Sequence, residues 1–293
     1  YKADANTQST NERWDKNSQL IYKFDNNMTT PGYSHLNIGG RLDYQHKTHL
    51  DGEILTLSYM LAATRPHTIF RQTYSNMVNF PVNYTSYDQN TRERFTEHTF
   101  QIDYVRPFGK YHKIESGTKY ILRYNNSTSL MDYQGTTPDM ESKFKHNAQV
   151  AAAYLSYIFT AGKWAARAGL RYEFTRMKAS YPDGSNADYH ANLNDWVPSA
   201  SLQYKISDGQ TLKFSYNTSI NRPGIGYLNP AIISTPTAVS FGNANLGSSR
   251  NQKLQLVYML VTSKFTLQLS PYYSFTNNGI GRILYEQNRK DVS

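Results

Sequence analysis

Apolar and polar residues alternate through most of this chain, and the turns between those stretches alternate between short and long. The short connections fall at His46–Gly52, Pro107–Lys113, Thr160–Lys163, Ser207–Gln210 and Val261–Lys264. The long ones read as loops near Thr64–Arg94, Asn125–Lys143, Met177–Trp196 and Ile220–Gln252. A soluble sandwich has no reason to put its tight turns at every second position. A barrel through an outer membrane does, because one rim is tight and the other faces the outside.

Steps of two residues define the faces. One series runs Leu36, Ile38, Leu42, Tyr44, then Leu55, Leu57, Tyr59, Leu61, then Phe100, Ile102, Tyr104. It continues through Ile114, Tyr120, Leu122, Tyr124 and through Trp164, Ala166, Ala168, Leu170, Tyr172, Phe174. Leu202, Tyr204, Leu212, Phe214, Leu254, Leu256, Tyr258, Leu267 and Leu269 complete it. On the strand before Ala161, the apolar series reads Val150, Ala152, Tyr154 and Ile158. The interleaved positions carry Arg41, Asp43, Asp103, Glu115, Lys119, Arg123, Arg167, Arg171, Glu173, Lys205 and Lys213. A charge turned to lipid at mid-membrane costs roughly 2–4 kcal/mol, so the charged face belongs to the interior and the apolar face to lipid. The expected fold is an all-β, antiparallel transmembrane β-barrel of about ten strands. The competing reading is a soluble antiparallel sheet with one wet face.

Composition fits this expectation. The mean hydropathy of −0.66 and 39% hydrophobic content resemble a soluble protein, and no run reaches the roughly 18 apolar residues of a membrane helix. A barrel escapes that test because its strands show lipid only every second residue. The 25 tyrosines suit aromatic girdles at a membrane interface. Tyr44, Tyr104, Phe108, Tyr157, Phe159, Trp164, Tyr204 and Phe265 near the short turns would form one such girdle. No cysteine is present, which excludes disulfides and thiolate metal sites. The net charge of +9 is scattered, without a basic block or nucleic-acid motif, so nucleic acid is not an expected partner.

Residues 1–293 read as one barrel segment, with 1–32 a polar loop or partial strand and 33–285 barrel strands. Leu20, Tyr22 and Phe24 have strand spacing, and the last strand is expected to climb from Phe265 to about Tyr285. The start at Tyr1, without an initiator Met or a hydrophobic signal segment, reads as either processed or cut from something longer, and the stop at Asp291-Val292-Ser293 reads as an interruption.

Four stretches resemble the outer-membrane β-barrels of TonB-dependent receptors of Bacteroidetes. They are Phe100–Lys110 with Ile114–Tyr120, Ala153–Tyr157 leading to Trp164 and Ala168–Glu173, Trp196–Tyr204, and Asn221-Arg222-Pro223 with Leu228-Asn229-Pro230 and Gly242–Leu246. The fourth departs from the family's pattern at Ala244 and Gly247-Ser248-Ser249. The resemblance implies a barrel of about 22 strands, of which this is the middle-to-late part. It implies a receptor of the bacterial outer membrane for TonB-dependent uptake of a large nutrient. The implied partners are the lipid bilayer, a plug domain of the same polypeptide and TonB, reached through an N-terminal region this sequence lacks. A surface lipoprotein is left open.

Chemistry-bearing motifs are sparse. His46 and His49 share a turn, but a third ligand and a zinc spacing are missing. Ser185 or Asp188 beside His190 is the one loop cluster an outer-membrane hydrolase could use, and chance proximity is the ordinary explanation. Pro223-Gly224-Ile225-Gly226 lacks the rest of a phosphate loop. No catalytic, cofactor or metal residue is assigned, and a non-enzyme is expected. Tyr74, Phe80, Tyr84, Tyr87, Tyr133, Tyr181, Tyr189 and Tyr227 could stack on a ligand or pack loops together, so ligand-binding residues stay unassigned. The alternatives are a self-contained porin or adhesin barrel and a barrel-borne hydrolase.

Overall fold

A computed structural model describes residues 5–228, 233–234, 238–283, 285–287 and 290–292. Nine antiparallel strands follow one another as β1 (Asn6–Trp14), β2 (Leu20–Lys47), β3 (Ile54–Val78), β4 (Tyr84–Phe108), β5 (His112–Gly135), β6 (Met140–Ala161), β7 (Trp164–Ser180), β8 (Tyr189–Ser207) and β9 (Gln210–Asn221). After a one-turn helix α1 (Ile225–Leu228) come β10 (Ile233–Ser234), β11 (Ala238–Ser240), β12 (Ser249–Val261), β13 (Thr266–Leu269), β14 (Tyr272–Asn277), β15 (Tyr285–Gln287) and β16 (Lys290–Val292). The main sheet of twelve strands runs in sequence order from β1 to β9, then β12. β13 and β14 both pair with β12, end to end. Pro271 separates them while its carbonyl accepts the Leu256 N–H at 3.0 Å, and an edge strand tolerates the missing donor. The short β10, β11, β15 and β16 form a second, four-stranded sheet.

The five tight turns lie where the sequence sets them. Ala161 pairs directly with Trp164, so Gly162-Lys163 is a two-residue hairpin whose first central residue needs positive φ; Gly162 supplies +55°. The expected long loops are a different matter. β3 runs to Val78 and β4 starts at Tyr84, and β5 and β6 are separated only by residues 136–139. Most of Thr64–Arg94, Asn125–Lys143 and Met177–Trp196 is therefore ladder, not loop. Only Ile220–Gln252 holds a long connection, of 27 residues between β9 and β12. Likewise, Leu20–Phe24 begins β2 itself, which is continuous through bulges near Lys23 and Thr29. The main-sheet strand after Phe265 ends at Asn277, and Tyr285 belongs to the second sheet.

Cross-strand register puts the outward apolar series in one band. It spans Leu55–Ala63 on β3 and Trp164–Phe174 on β7, the roughly 9–11 residues a tilted strand needs to cross a bilayer. Leu42 is 71% exposed, Leu155 57%, Trp196 53% and Leu269 53%, and so continuous an exposed apolar surface marks contact with lipid. Aromatic pairs rim the band: Trp164–Tyr204 at 4.5 Å and Phe108–His112 at 5.5 Å near the tight turns, and Tyr172–Trp196 at 4.7 Å at its upper end. Above it, β3 continues from Thr64 to Val78, about 50 Å of chain at about 3.3 Å per residue.

One strand has its faces reversed relative to the sequence reading. Val150, Ala152 and Tyr154 pair with Thr175, Glu173 and Arg171 and share their inner face. The lipid-facing residues of β6 are Ala151, Ala153, Leu155, Tyr157 and Phe159. Both parities of β6 are apolar or small, so alternation alone does not orient it. Its register with the charged faces of β5 and β7 does.

Candidate functional site

The inner face carries three structures: an ion-paired wall at membrane level, an inward-folded strap, and an aromatic wall above. At membrane level Arg123 holds Glu97 at 2.5 Å, Arg167 holds Glu115 at 2.7 Å and Arg41 holds Asp43 at 2.8 Å. Gln101 donates to Asp103 at 2.8 Å, and the Tyr154 hydroxyl donates to the same carboxylate. Tyr154 reaches it by crossing its partner Gly117; a Cβ there would lie 2.7 Å from the ring and 2.6 Å from the Ile102 carbonyl. Glycine is required by that close approach. Gln101, Glu115, Tyr154, Arg167 and Arg171 line a polar pocket of about 390 Å³.

The strap is formed by the described residues at the two ends of the connection from β9 to β12, 222–228 and 241–248. Glu173 on β7 and Asp195 on β8 are directly opposed across the ladder and only 7% and 2% exposed. Two carboxylates so placed repel unless cations intervene. Arg171 holds Glu173 at 2.6 Å, and Arg222 bonds Glu173 with one nitrogen while its Nε lies 4.0 Å from Asp195. Arg250 lies 3.9 Å from Asp195, and the Ser248 hydroxyl donates to it at 2.7 Å. Both ends of the strap are thus fastened to one acidic pair. Between them Leu228, fully buried, packs on Ala148, Met177 and Leu193 with Leu246 beside it. The Tyr189 hydroxyl donates to the Ala244 carbonyl at 3.2 Å.

The upper wall joins five of the aromatics singled out in the sequence. Phe24, Tyr74 and Phe80 are buried together, and Phe80 stacks on Phe24 at 4.1 Å. Tyr84, Tyr87 and Tyr133 adjoin them, with centroids 4.8–6.0 Å apart. Burial pushes the Tyr87 hydroxyl up to about 12, with Tyr84 and Tyr133 adding to it. Gln72 accepts from Tyr87 at 3.0 Å and donates to Tyr74 at 2.7 Å. The other three stand elsewhere: Tyr181 against Phe144, Tyr189 on the strap, and Tyr227 under Arg282.

The loop triad candidates are not brought together. Ser185 donates to Asp183 at 2.7 Å, and Asp188 lies 3.4 Å from Lys178, whereas His190 points outward on β8. Among the described residues no group of three or more His, Asp or Glu side chains could share a metal ion. The sequence did not reveal Glu173, Asp195 and Arg222 as a unit. The available signal was an Arg-Pro at a strand end together with acids on two neighbouring strands.

A model of the outer membrane protein beta-barrel family matches residues 46–293. The chain belongs to that family. It is an antiparallel barrel wall of the bacterial outer membrane. The barrel's fold is similar to the unliganded ferric citrate transporter FecA (12% identity, TM-score 0.60, 93% of this chain and 43% of that one). It is also similar to the siderophore receptor PiuA of Acinetobacter baumannii (12%, 0.55, 92% and 42%). A third similar structure is the Serratia marcescens hemophore receptor HasR, solved with its hemophore HasA and heme (12%, 0.51, 98% and 53%). The barrel segment spans less than half the length of FecA and PiuA. No curated protein matches the sequence.

Proposed function

We propose that this barrel is part of a TonB-dependent receptor that imports a large nutrient ligand and catalyses no reaction on it. One observation carries the reading: a strap folds into the interior and is fastened there by buried charge, with a polar, ion-paired wall at membrane level and an aromatic wall above. Such an interior suits a solute gated during passage more than an open diffusion pore. The similar solved proteins are named for ferric citrate, a siderophore and a hemophore with heme, which favours a bulky, scarce ligand. The four sequence stretches favour a Bacteroidetes-type member. Under this reading a plug domain of the same polypeptide fills the interior, TonB supplies the energy, and a surface lipoprotein would meet the hairpin tips. Uptake by the full-length receptor should vanish in a strain deleted for TonB, and the imported ligand should be recovered chemically unchanged. Normal uptake without TonB, or ligand converted by the purified protein, would overturn the proposal.

A further inference from the structure

Two features of the outer surface coincide on β6, β7 and β8. The first is an open apolar groove of about 600 Å³ in the lipid-facing band, lined by Ala153, Leu155, Ala168, Leu170, Tyr172 and Trp196. It exists because alanines on β6 and β7 leave a trough between larger outward side chains. The second is a cationic cluster immediately above it. Arg176 and Lys178 follow on the outward parity of β7, and Lys145 on β6 is the diagonal neighbour of Lys178, whose direct partner is Asn147. Diagonal neighbours lie roughly 7–8 Å apart, close enough for one phosphate to contact both.

These cations differ from the arginines inside the barrel. Arg41, Arg123, Arg167, Arg171 and Arg222 each hold a carboxylate. Lys145 and Arg176 are exposed and make no ion pair among the described residues. The nearest acid is Asp188, 3.4 Å from Lys178. The outward neighbours across the ladders, Tyr124 and Asn126 on β5, Asn147 and Gln149 on β6, and His190, Asn192 and Asn194 on β8, carry no acid. From Tyr172 at the head of the groove to Arg176 is four residues, about 13 Å along the strand.

We propose that this surface binds one phosphorylated lipid of the outer leaflet, with its phosphates on Lys145, Arg176 and Lys178 and acyl chain in the groove below. The anion supplies the counter-charge that Lys145 and Arg176 lack in the protein, and the groove supplies an apolar seat at the matching depth. Neither feature depends on what the barrel transports.

Native mass spectrometry of the full-length protein in mild detergent tests this, with diphosphorylated lipid A as probe. One retained lipid is expected. Each surface cation contributes about a fivefold gain in binding, so the Lys145→Gln/Arg176→Gln/Lys178→Gln variant should bind on the order of a hundredfold more weakly. Ala168→Phe, which fills the groove, should weaken binding with every cation intact. Arg71→Gln, an outward cation already held by Asp88 at 2.5 Å, should leave binding unchanged. The charge changes are exposed and above the membrane band, so folding is checked by the heat-dependent gel mobility of each variant. Equal binding by the triple variant, or by the dephosphorylated lipid, would overturn the proposal. So would undiminished binding to Ala168→Phe together with full competition by glucosamine-1-phosphate, which would make this a site for soluble phosphate.

Discussion

Removing the Arg222 guanidinium should open the strap without unfolding the barrel. Its side chain is 24% exposed and lies on Glu173 and Asp195, whose side chains are 10% and 2% exposed. Breaking a buried pair by deleting one partner typically costs 3–5 kcal/mol. Here Arg171 still holds Glu173, and Arg250 with Ser248 still faces Asp195, so the lower end, about 3 kcal/mol, applies. At a factor of ten per about 1.4 kcal/mol, Arg222→Ala raises the open population of the strap roughly a hundredfold. Amide hydrogen exchange reads this directly, because the Asn243 N–H is held by the Tyr227 carbonyl at 2.7 Å only while the strap is folded. Asn243 should exchange about a hundredfold faster in the variant, while Ala166 and Leu170 in the β7 ladder keep their rates. Adding Asp195→Asn should recover much of the protection, since the opposed carboxylates no longer both need a cation. A change below threefold at Asn243, or no recovery in the double variant, would refute the latch.

Three further outcomes are expected. Leu155→Lys on the lipid face should destabilise the barrel by roughly 2–4 kcal/mol, whereas Ala152→Lys, facing Glu173, should cost far less; urea midpoints in lipid vesicles in the reverse order would contradict the β6 orientation. Gly117→Ala should destabilise the barrel by about 1–3 kcal/mol through overpacking against the Ile102 carbonyl and Tyr154, and an unchanged unfolding midpoint would deny the close approach. Asp183, in the β7–β8 loop, has its carboxyl held down to about 2 by the N–H groups of Lys143 and Ser185 and by the Ser185 hydroxyl. Its contribution is complete above the ordinary carboxylate range near 4 and is lost as pH falls through about 2. Exchange at the Lys143 and Ser185 amides, corrected for intrinsic rates, should therefore accelerate between pH 4 and 2, and Asp183→Asn should abolish that dependence.

What could be read from the sequence followed the solvent. Where lipid lies on one side and water on the other, alternation is strong, and Leu36–Tyr44, Leu55–Leu61 and Trp164–Phe174 reveal both strand and face. Above the membrane both faces meet water or other polar groups. The pattern fades across Thr68–Val78 and Tyr84–Arg94, and strands there pass for loops. The ladder pairs such as Phe70 with Gln89 that make them strands are long-range facts. β6 failed for the opposite reason: Val150–Tyr154 is apolar or small at every position, so neither parity stood out. The strap could not be read because Arg222 is 49 residues from Glu173. The aromatic set was named correctly as residues, but only the fold separates Tyr74, Phe80, Tyr84, Tyr87 and Tyr133 from Tyr181, Tyr189 and Tyr227.

The continuation of β3, β4 and β5 well past the lipid has a thermodynamic corollary. A floppy rim must surrender conformational freedom when a visitor settles on it, at roughly 1–2 kcal/mol for every backbone unit fixed. Here the cross-strand amide pairing has already met that cost during folding. An arriving molecule would therefore encounter a stiff wall of paired strands, and discrimination there would rest on shape complementarity more than on clamping.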